Sequence, residues 1–172
     1  MYQIKKLIHS LFILFLTISC KSTKDIAEVN KQTINQTIDA WHKAASNAQF
    51  DNYFSLMTSD GVFIGTDATE NWQNETFKTF SKPYFDKGKA WNFSSLQRNI
   101  YLNKNQDTAW FDELLDTQMK ICRGSGVLMK VENEWKIAHY VLSMTIPNEL
   151  TTEVIKLKDK IELEEIIKLR TK

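Results

Sequence analysis

The stretch "ICRGSGVLMKVENEWKIAHYVLSMTI" (residues 121–146) decides the fold. Its two halves alternate apolar and polar residues and are joined by the dipeptide Glu132–Asn133, which is typical of a β-hairpin with a tight turn. Residues 91–102 and 108–115 have the same alternating character, and the turn-forming residues "NKNQD" separate them. The four stretches together predict a meander of four antiparallel strands.

The first half of the chain has a helical pattern instead. Apolar residues recur at three- and four-residue steps from Ile26 to Ala48, which indicates a long amphipathic helix. A short helix over 50–57 and a short strand over 62–65 follow. Residues 72–85 predict another helix, interrupted before Pro83 because the residue preceding a proline disfavours helical backbone. Helices first and strands afterwards indicate an α+β fold, with the helices on one face of the sheet.

The N-terminal residues 1–19 have the composition of a secretory signal. Lys5 and Lys6 precede a short, mostly apolar stretch, and Ser19 lies directly before Cys20. This arrangement resembles a bacterial lipoprotein signal, although Thr17 stands where a bulky aliphatic residue is more usual. The resemblance implies that Cys20 carries a lipid and that the protein is exported to the bacterial cell envelope, anchored there and facing the periplasm. The alternative is a plain signal peptide with an incidental cysteine.

Composition excludes some classes of function. The formal net charge is +1, and removing the signal with its two lysines changes it to −1, so no basic field favours nucleic acid. The three histidines are isolated and make no metal motif. No cofactor motif is present, and "RGSG" (123–126) lacks the strand–loop–helix context of a phosphate loop. Cys122 is expected to be a buried small hydrophobe.

Four segments in order resemble the SnoaL-like branch of the nuclear-transport-factor-two-like superfamily. They are "DGVFIGTDATENW" (60–72), "AWFDE" (109–113), "RGSGVL" (123–128) and "WKIAHYVLS" (135–143). The resemblance implies a cone, in which a strongly curved antiparallel sheet wraps around the N-terminal helices and leaves a pocket at the open end. The chain then divides into the signal 1–19, a tether 20–25, a cone domain 26–148 and a C-terminal amphipathic helix 149–172. The superfamily includes isomerases, cyclases, dehydratases and proteins without known activity, so the fold alone gives no function.

Side chains alternate between the two faces of a strand, which sorts the pocket candidates. If Lys130 and Lys136 point to water, the opposite faces of the last two strands point inward. Arg123, Ser125 and His139 are then predicted to lie inside the cone.

Asp112 and Glu113 are adjacent and cannot both enter one pocket from a regular strand. Glu113 shares its face with the more apolar set of residues, so it is predicted inward, with Arg123 as its partner. A bulge would reverse the assignment, so Asp112 stays a candidate. The pair has two interpretations, a structural ion pair or a functional one, and His139 is either a core histidine or a binding residue.

Four aromatic residues are expected in the core, with one or two of them lining the pocket: Trp41, Tyr53, Trp72 and Trp110. His42 is expected on the solvent side of the first helix. Thr66 and Asp67 are expected to form a turn.

Three hypotheses for function remain. The first is a non-catalytic module that binds a small organic ligand, with Arg123 meeting an anionic or carbonyl group. The second is an enzyme of the isomerase, cyclase or dehydratase kind, with Glu113 or Asp112 as base. The third is a homodimer formed through the outer sheet face, where Tyr140 and Leu142 are predicted to lie.

Overall fold

A computed structural model describes residues 23–171 of the chain. The predicted signal and the lipid-carrying Cys20 lie outside the described residues. The helices are α1 (Thr23–Ser46), α2 (Phe50–Ser55), α3 (Asn74–Asp86) and α4 (Thr151–Arg170), and a single 3₁₀ turn, Asn148–Leu150, precedes α4. The strands are β1 (Met57–Ile64), β2 (Asn71–Gln73), β3 (Ser94–Leu102), β4 (Thr108–Thr117), β5 (Lys120–Val131) and β6 (Glu134–Met144).

The six described strands form one curved, unclosed sheet in the order β2-β1-β6-β5-β4-β3. β3 to β6 pair antiparallel with their neighbours, which confirms the predicted meander. β1 lies parallel to β6 at the other side of the sheet, and β2 pairs with β1. The α+β fold expected from the order of helices and strands is therefore confirmed.

The core lies between α1 and the concave face of the sheet. Ile34, Ile38 and Trp41 follow the helical spacing and are fully or almost fully buried, as are Leu115 and Leu128 on the strands. An apolar stripe on a helix and an apolar face on a sheet bury each other, which is the general solution for a two-layer domain.

The predicted tight turn between β5 and β6 is also confirmed. Glu132 and Asn133 both adopt the left-handed conformation, with φ of 51° and 68°. Two successive left-handed residues match the twist of the flanking strands and set the register of the hairpin.

Two local predictions differ from the structure. α1 begins at Thr23, inside the segment assigned to the tether. α3 continues through Pro83 to Asp86, whereas an interruption was predicted before this proline. A proline inside a helix costs about 3 kcal/mol, and buried Phe77, Ser81 and Phe85 hold α3 against the core on both sides of it.

The C-terminal helix α4 has no buried residue. Leu157 is 78% exposed, and the other apolar residues of this helix are exposed or half-buried. Within residues 23–171, no helix has both the length and the apolar composition that a membrane span requires.

Candidate functional site: a buried carboxylate network and an aromatic pocket

A bulge in β6 changes which of its residues face the core. Val127 pairs with His139 and Leu128 pairs with Ile137, so Ala138 is an extra residue in the strand. Tyr140 is consequently fully buried on the concave face, while His139 is half-buried on the convex face. The predicted inward position of His139 is therefore wrong, and so is the predicted outward position of Tyr140 and Leu142.

On β5 the inward residues are the glycines rather than Arg123 and Ser125. Gly124 is buried beneath the Tyr140 hydroxyl and the Glu113 side chain, and a Cβ at this position would overlap both. Arg123 is exposed and Ser125 is half-buried, both on the convex face, so their predicted inward positions are wrong.

The reason for this error is Lys130. It shares its face with buried Leu128, at the end of the strand, and its ammonium group lies 5.1 Å from the centre of the Trp135 ring. The long side chain covers the rim of the core while its charge stays near water. A lysine close to the end of a strand therefore does not identify the solvent face.

Glu113 points inward, as predicted, and is only 1% exposed. Three side chains surround its carboxylate. His42 Nε2 donates to Oε1 at 2.8 Å, and the Tyr140 hydroxyl donates to the same oxygen at 3.0 Å. Arg98 Nε donates to Oε2 at 2.9 Å, and Arg98 Nη2 lies 2.8 Å from Oε2. We call these four residues the Glu113 network.

Arg98 is the partner that the sequence analysis missed. It lies directly across from Glu113 in the β3–β4 ladder, and it shares its face of β3 with buried Ile100. Its Nη1 also contacts two residues of α1, the Asn35 side-chain oxygen at 3.0 Å and Asp39 Oδ1 at 2.9 Å. The alternation of inward and outward side chains along β3, which places Arg98 on the same face as Ile100, could have predicted this partner.

The predicted pair of Glu113 with Arg123 is wrong. Arg123 lies on the convex face, where its Nη1 is 3.9 Å from Asp112 Oδ1. Both groups are well exposed, and such a pair adds little stability. Asp112 also accepts a hydrogen bond from Asn99 at 3.1 Å.

His42 was expected in solvent, but it is 4% exposed and part of the Glu113 network. A carboxylate only accepts hydrogen bonds, so the Nε2 atom of His42 carries the proton that is shared with Oε1.

The network fixes the charge states of its members. Burial raises the pKa of Glu113, but the hydrogen bond and charge of His42, followed by those of Arg98, together lower this pKa below its ordinary value of 4.5. Burial, followed by the adjacent Glu113 charge, raises the pKa of Tyr140 well above its ordinary value. Glu113 is therefore an ionised acceptor and Tyr140 a protonated donor at neutral pH.

This arrangement does not suit Glu113 to the role of a general base. A base near neutral pH needs a raised pKa and a free lone pair directed at the substrate. Glu113 has a lowered pKa, and both of its oxygens are engaged by protein donors. Its contacts are those of a buried ionic group that organises the core.

A separate hollow of about 250 Å³ lies at the edge of the concave face, between β1, α3 and the segment leading to β3. Half of its lining residues are aromatic, namely Phe63, Trp72, Phe77, Phe80, Tyr84, Trp91 and Phe93. We call it the aromatic pocket. Trp72 stacks on Phe80 with ring centres 4.3 Å apart, so the rim rings support one another. Two larger hollows have volumes of about 400 and 520 Å³. Polar and charged residues predominate in the lining of the first, whereas the second, between the turn at residues 66–69 and α4, is lined by both charged and apolar residues.

The aromatic pocket and the Glu113 network are neighbours that do not share residues. Phe93 lines the pocket, and its ring centre is 5.8 Å from that of His42. Phe63 lines it too, 5.6 Å from the ring centre of Tyr140. These two rings lie between the pocket lining and the network, and none of the four network residues lines the pocket.

The other predicted pocket residues lie elsewhere. Trp41 and Tyr53 are buried in the core, with ring centres 4.8 Å apart. Trp110 is 48% exposed on the convex face and stacks on Tyr101. Asp67 forms the predicted turn by accepting hydrogen bonds from Thr69, and Thr66 borders the pocket.

Within residues 23–171, no three histidine, cysteine or acidic side chains are grouped so that they would hold a metal ion. Cys122 is fully buried, as expected of a small hydrophobe.

The family model for the SnoaL-like domain matches residues 34–147, and the chain belongs to this family. No curated protein matches the chain.

Several solved structures share the fold. An NTF2-like protein of unknown function from Pseudomonas putida KT2440 has 14% identity and a TM-score of 0.58, over 72% of this chain and 91% of its own. A proposed dehydratase of the NTF2-like family from Streptomyces avermitilis has 11% identity and a TM-score of 0.61, over 70% and 99%. The association domain of C. elegans CaMKII has 20% identity and a TM-score of 0.58, over 69% and 98%. Such identities show the fold alone.

The lowered pKa of Glu113 predicts a pH-dependent contribution to stability. Because the folded-state pKa lies below the unfolded-state value, the contribution is full above the unfolded value of 4.5 and is lost as the pH falls through the folded-state pKa. We expect Glu113→Gln to lower the free energy of unfolding by roughly 3–5 kcal/mol near neutral pH, since it leaves the buried Arg98 with only the exposed Asp39 as counter-ion. The difference from wild type should shrink on acidification. Urea unfolding across a pH series measures it.

Asp112→Asn is the matched control, since Asp112 neighbours Glu113 in the same strand but is half-exposed. It should change the free energy of unfolding by less than about 1 kcal/mol. If Glu113→Gln lowers the free energy of unfolding by the same amount at neutral and at acid pH, the assignment of Glu113 as an ionised, paired carboxylate is contradicted.

Proposed function

We propose that this protein is an exported, lipid-anchored domain that binds a small, largely apolar organic molecule in its aromatic pocket. The observation that carries the proposal is a concave site walled by aromatic rings at the edge of the cone. Sites for small molecules are typically concave and mostly apolar, with a few polar groups that set orientation. Thr66, Glu70 and Gln118 are the polar side chains of this lining that are suited to that role.

The alternative is an isomerase, cyclase or dehydratase that uses a pocket carboxylate as base. The two carboxylates first considered do not favour it, because Glu113 is saturated by protein donors and Asp112 lies on the convex face. A dehydratase activity is proposed for the structure from Streptomyces avermitilis, which supports only that a protein of this fold can be an enzyme. Binding is therefore the function that the geometry supports best.

A neutral aromatic probe tests the binding function. We expect N-phenyl-1-naphthylamine to bind the protein saturably, and the double variant Phe80→Ala/Tyr84→Ala to weaken its affinity by about tenfold, because each lost ring contact costs about 0.5–1.5 kcal/mol. Phe80 and Tyr84 are 40% and 45% exposed, so their removal should spare the fold. Probe fluorescence measures the affinity.

The control for the binding experiment is Tyr101→Ala, which removes a similarly exposed ring from the convex face. It should leave the affinity unchanged. Absence of saturable binding to the wild-type protein, or equal affinity in the double variant, would remove the support for a ligand site.

The proposal of a lipid anchor rests on the sequence of residues 1–20. We expect the full chain, expressed in a bacterium that processes lipoproteins, to fractionate with membranes and to carry diacylglycerol on Cys20. Cys20→Ser should abolish the lipid and move the protein to the soluble fraction. Mass spectrometry of the N-terminal peptide measures the modification.

Cys122→Ser is the control for lipid attachment, because Cys122 is the other cysteine of the chain and is buried in the domain. It should keep the lipid. A Cys20→Ser protein that still carries lipid, or a wild-type protein without any, would refute the anchor.

A homodimer through the convex face of the sheet is the proposed assembly. A cross-strand row of Tyr101, Trp110, Val127, His139 and Val62 runs over five strands of this face. Tyr101 and Trp110 are about half exposed, and stacked aromatic rings at a surface are typical of interfaces. The CaMKII relative is by name an association domain, which supports assembly as a capacity of the fold.

We expect light scattering to give twice the chain mass at micromolar concentration, and Trp110→Asp to give the monomer, because a buried charge without a partner opposes the interface. Leu157→Asp on exposed α4 is the control and should leave the mass unchanged. A monomeric wild-type protein would end this proposal.

A further inference from the structure

The aromatic pocket contains one carboxylate that the protein does not neutralise. Glu70 is half-buried in the lining, and its Oε2 accepts only a backbone hydrogen bond, from Asp67 N at 3.2 Å. Among residues 24–171, no lysine, arginine or histidine forms an ion pair with Glu70 or lines the aromatic pocket. The electrostatic character of the site is therefore negative.

Backbone hydrogen bonds fix the position of Glu70. Gly65 N donates to the Glu70 carbonyl at 3.0 Å, and Glu70 N donates to the Asp67 carbonyl at 3.0 Å, which closes the turn on itself. The Glu70 side chain then folds over Gly65, where a Cβ would overlap the carboxylate. The missing side chain of Gly65 leaves the space that Glu70 occupies at the pocket.

The two lysines of α3 contact other groups. Lys78 pairs with Glu75 and lies 5.8 Å from the centre of the Phe54 ring. Lys82 pairs with Asp86 and lies 5.3 Å from the centre of the Phe50 ring. Neither lysine lines the aromatic pocket, and among the described residues no lysine or arginine lies over the ring of Phe80, Trp72 or Trp91.

We infer that the aromatic pocket selects an organic cation, an amine or quaternary ammonium group attached to a small apolar body. This inference rests on the proposed ligand-binding function and specifies its ligand class. The faces of aromatic rings attract cations, and tryptophan does so most strongly. Glu70 adds the opposite charge at the rim, while an anionic ligand would meet this carboxylate with no lysine, arginine or histidine in the lining to compensate for it.

Choline and 3,3-dimethylbutan-1-ol test the inference, since they differ only in a charged nitrogen or a neutral carbon at the quaternary centre. Two of the protein's tryptophans, Trp72 and Trp91, line the pocket, so their fluorescence reports occupancy. We expect choline to bind the wild-type protein roughly tenfold more tightly than its neutral isostere. Raising the salt concentration should reduce the difference, because the site is partly exposed.

Two variants identify the carboxylate as the cause. Glu70→Gln removes the charge at constant size, and Gly65→Ala displaces the carboxylate without removing it. Both should reduce the preference for choline severalfold while changing the affinity for the alcohol little. Glu75→Gln, an exposed acid paired with Lys78 on the same helix, is the matched control and should keep the full preference.

The outcomes separate the two levels of the proposal. Equal affinity for the two probes overturns the cation inference and leaves the ligand-binding function standing. A preference that survives Glu70→Gln and Gly65→Ala also overturns the inference. Binding of neither probe, together with no binding of the neutral naphthylamine, overturns both.

Discussion

An ionised carboxylate buried at the centre of the concave sheet is the constraint on which the rest of the domain depends. Taking such a charge out of water costs several kcal/mol unless it is paired and hydrogen-bonded. Glu113 meets this requirement only because His42 from α1, Arg98 from β3 and Tyr140 from β6 converge on it. The charge therefore fixes how α1 lies on the sheet, since any rotation of the helix would remove His42 from Oε1.

The backbone of the sheet is shaped to allow this convergence. The bulge in β6 turns Tyr140 inward, and Gly124 on β5 leaves the space into which the tyrosine hydroxyl and Glu113 extend. A side chain at Gly124 would force the two groups apart. The network is thus a property of three strands and one helix together, and local sequence preferences alone do not determine it.

This dependence explains how far the sequence could predict the site. The β4 ladder with β5 is continuous, so simple alternation placed Glu113 correctly. The same reasoning failed on β6, because a bulge has no distinctive residue type, and on β5, because Lys130 at the strand end was taken as a marker of solvent. His42 lies 71 residues from Glu113 in the chain. Without knowledge of this partner, a polar residue beside Trp41 is assigned to the solvent side of the helix.

Two carboxylates of the domain, Glu113 in the sheet and Glu70 in the turn before β2, are in opposite electrostatic situations. Glu113 is compensated within the protein, so the deep part of the cone is closed, electrically balanced and lined by rings that pack on one another. Glu70 stands at the edge beside exposed aromatic faces, without a protein cation among the described residues. The turn that carries Glu70 shares no residue with the Glu113 network. The ligand selectivity proposed for the pocket can therefore be altered at Glu70 without removing a contact to the buried charge.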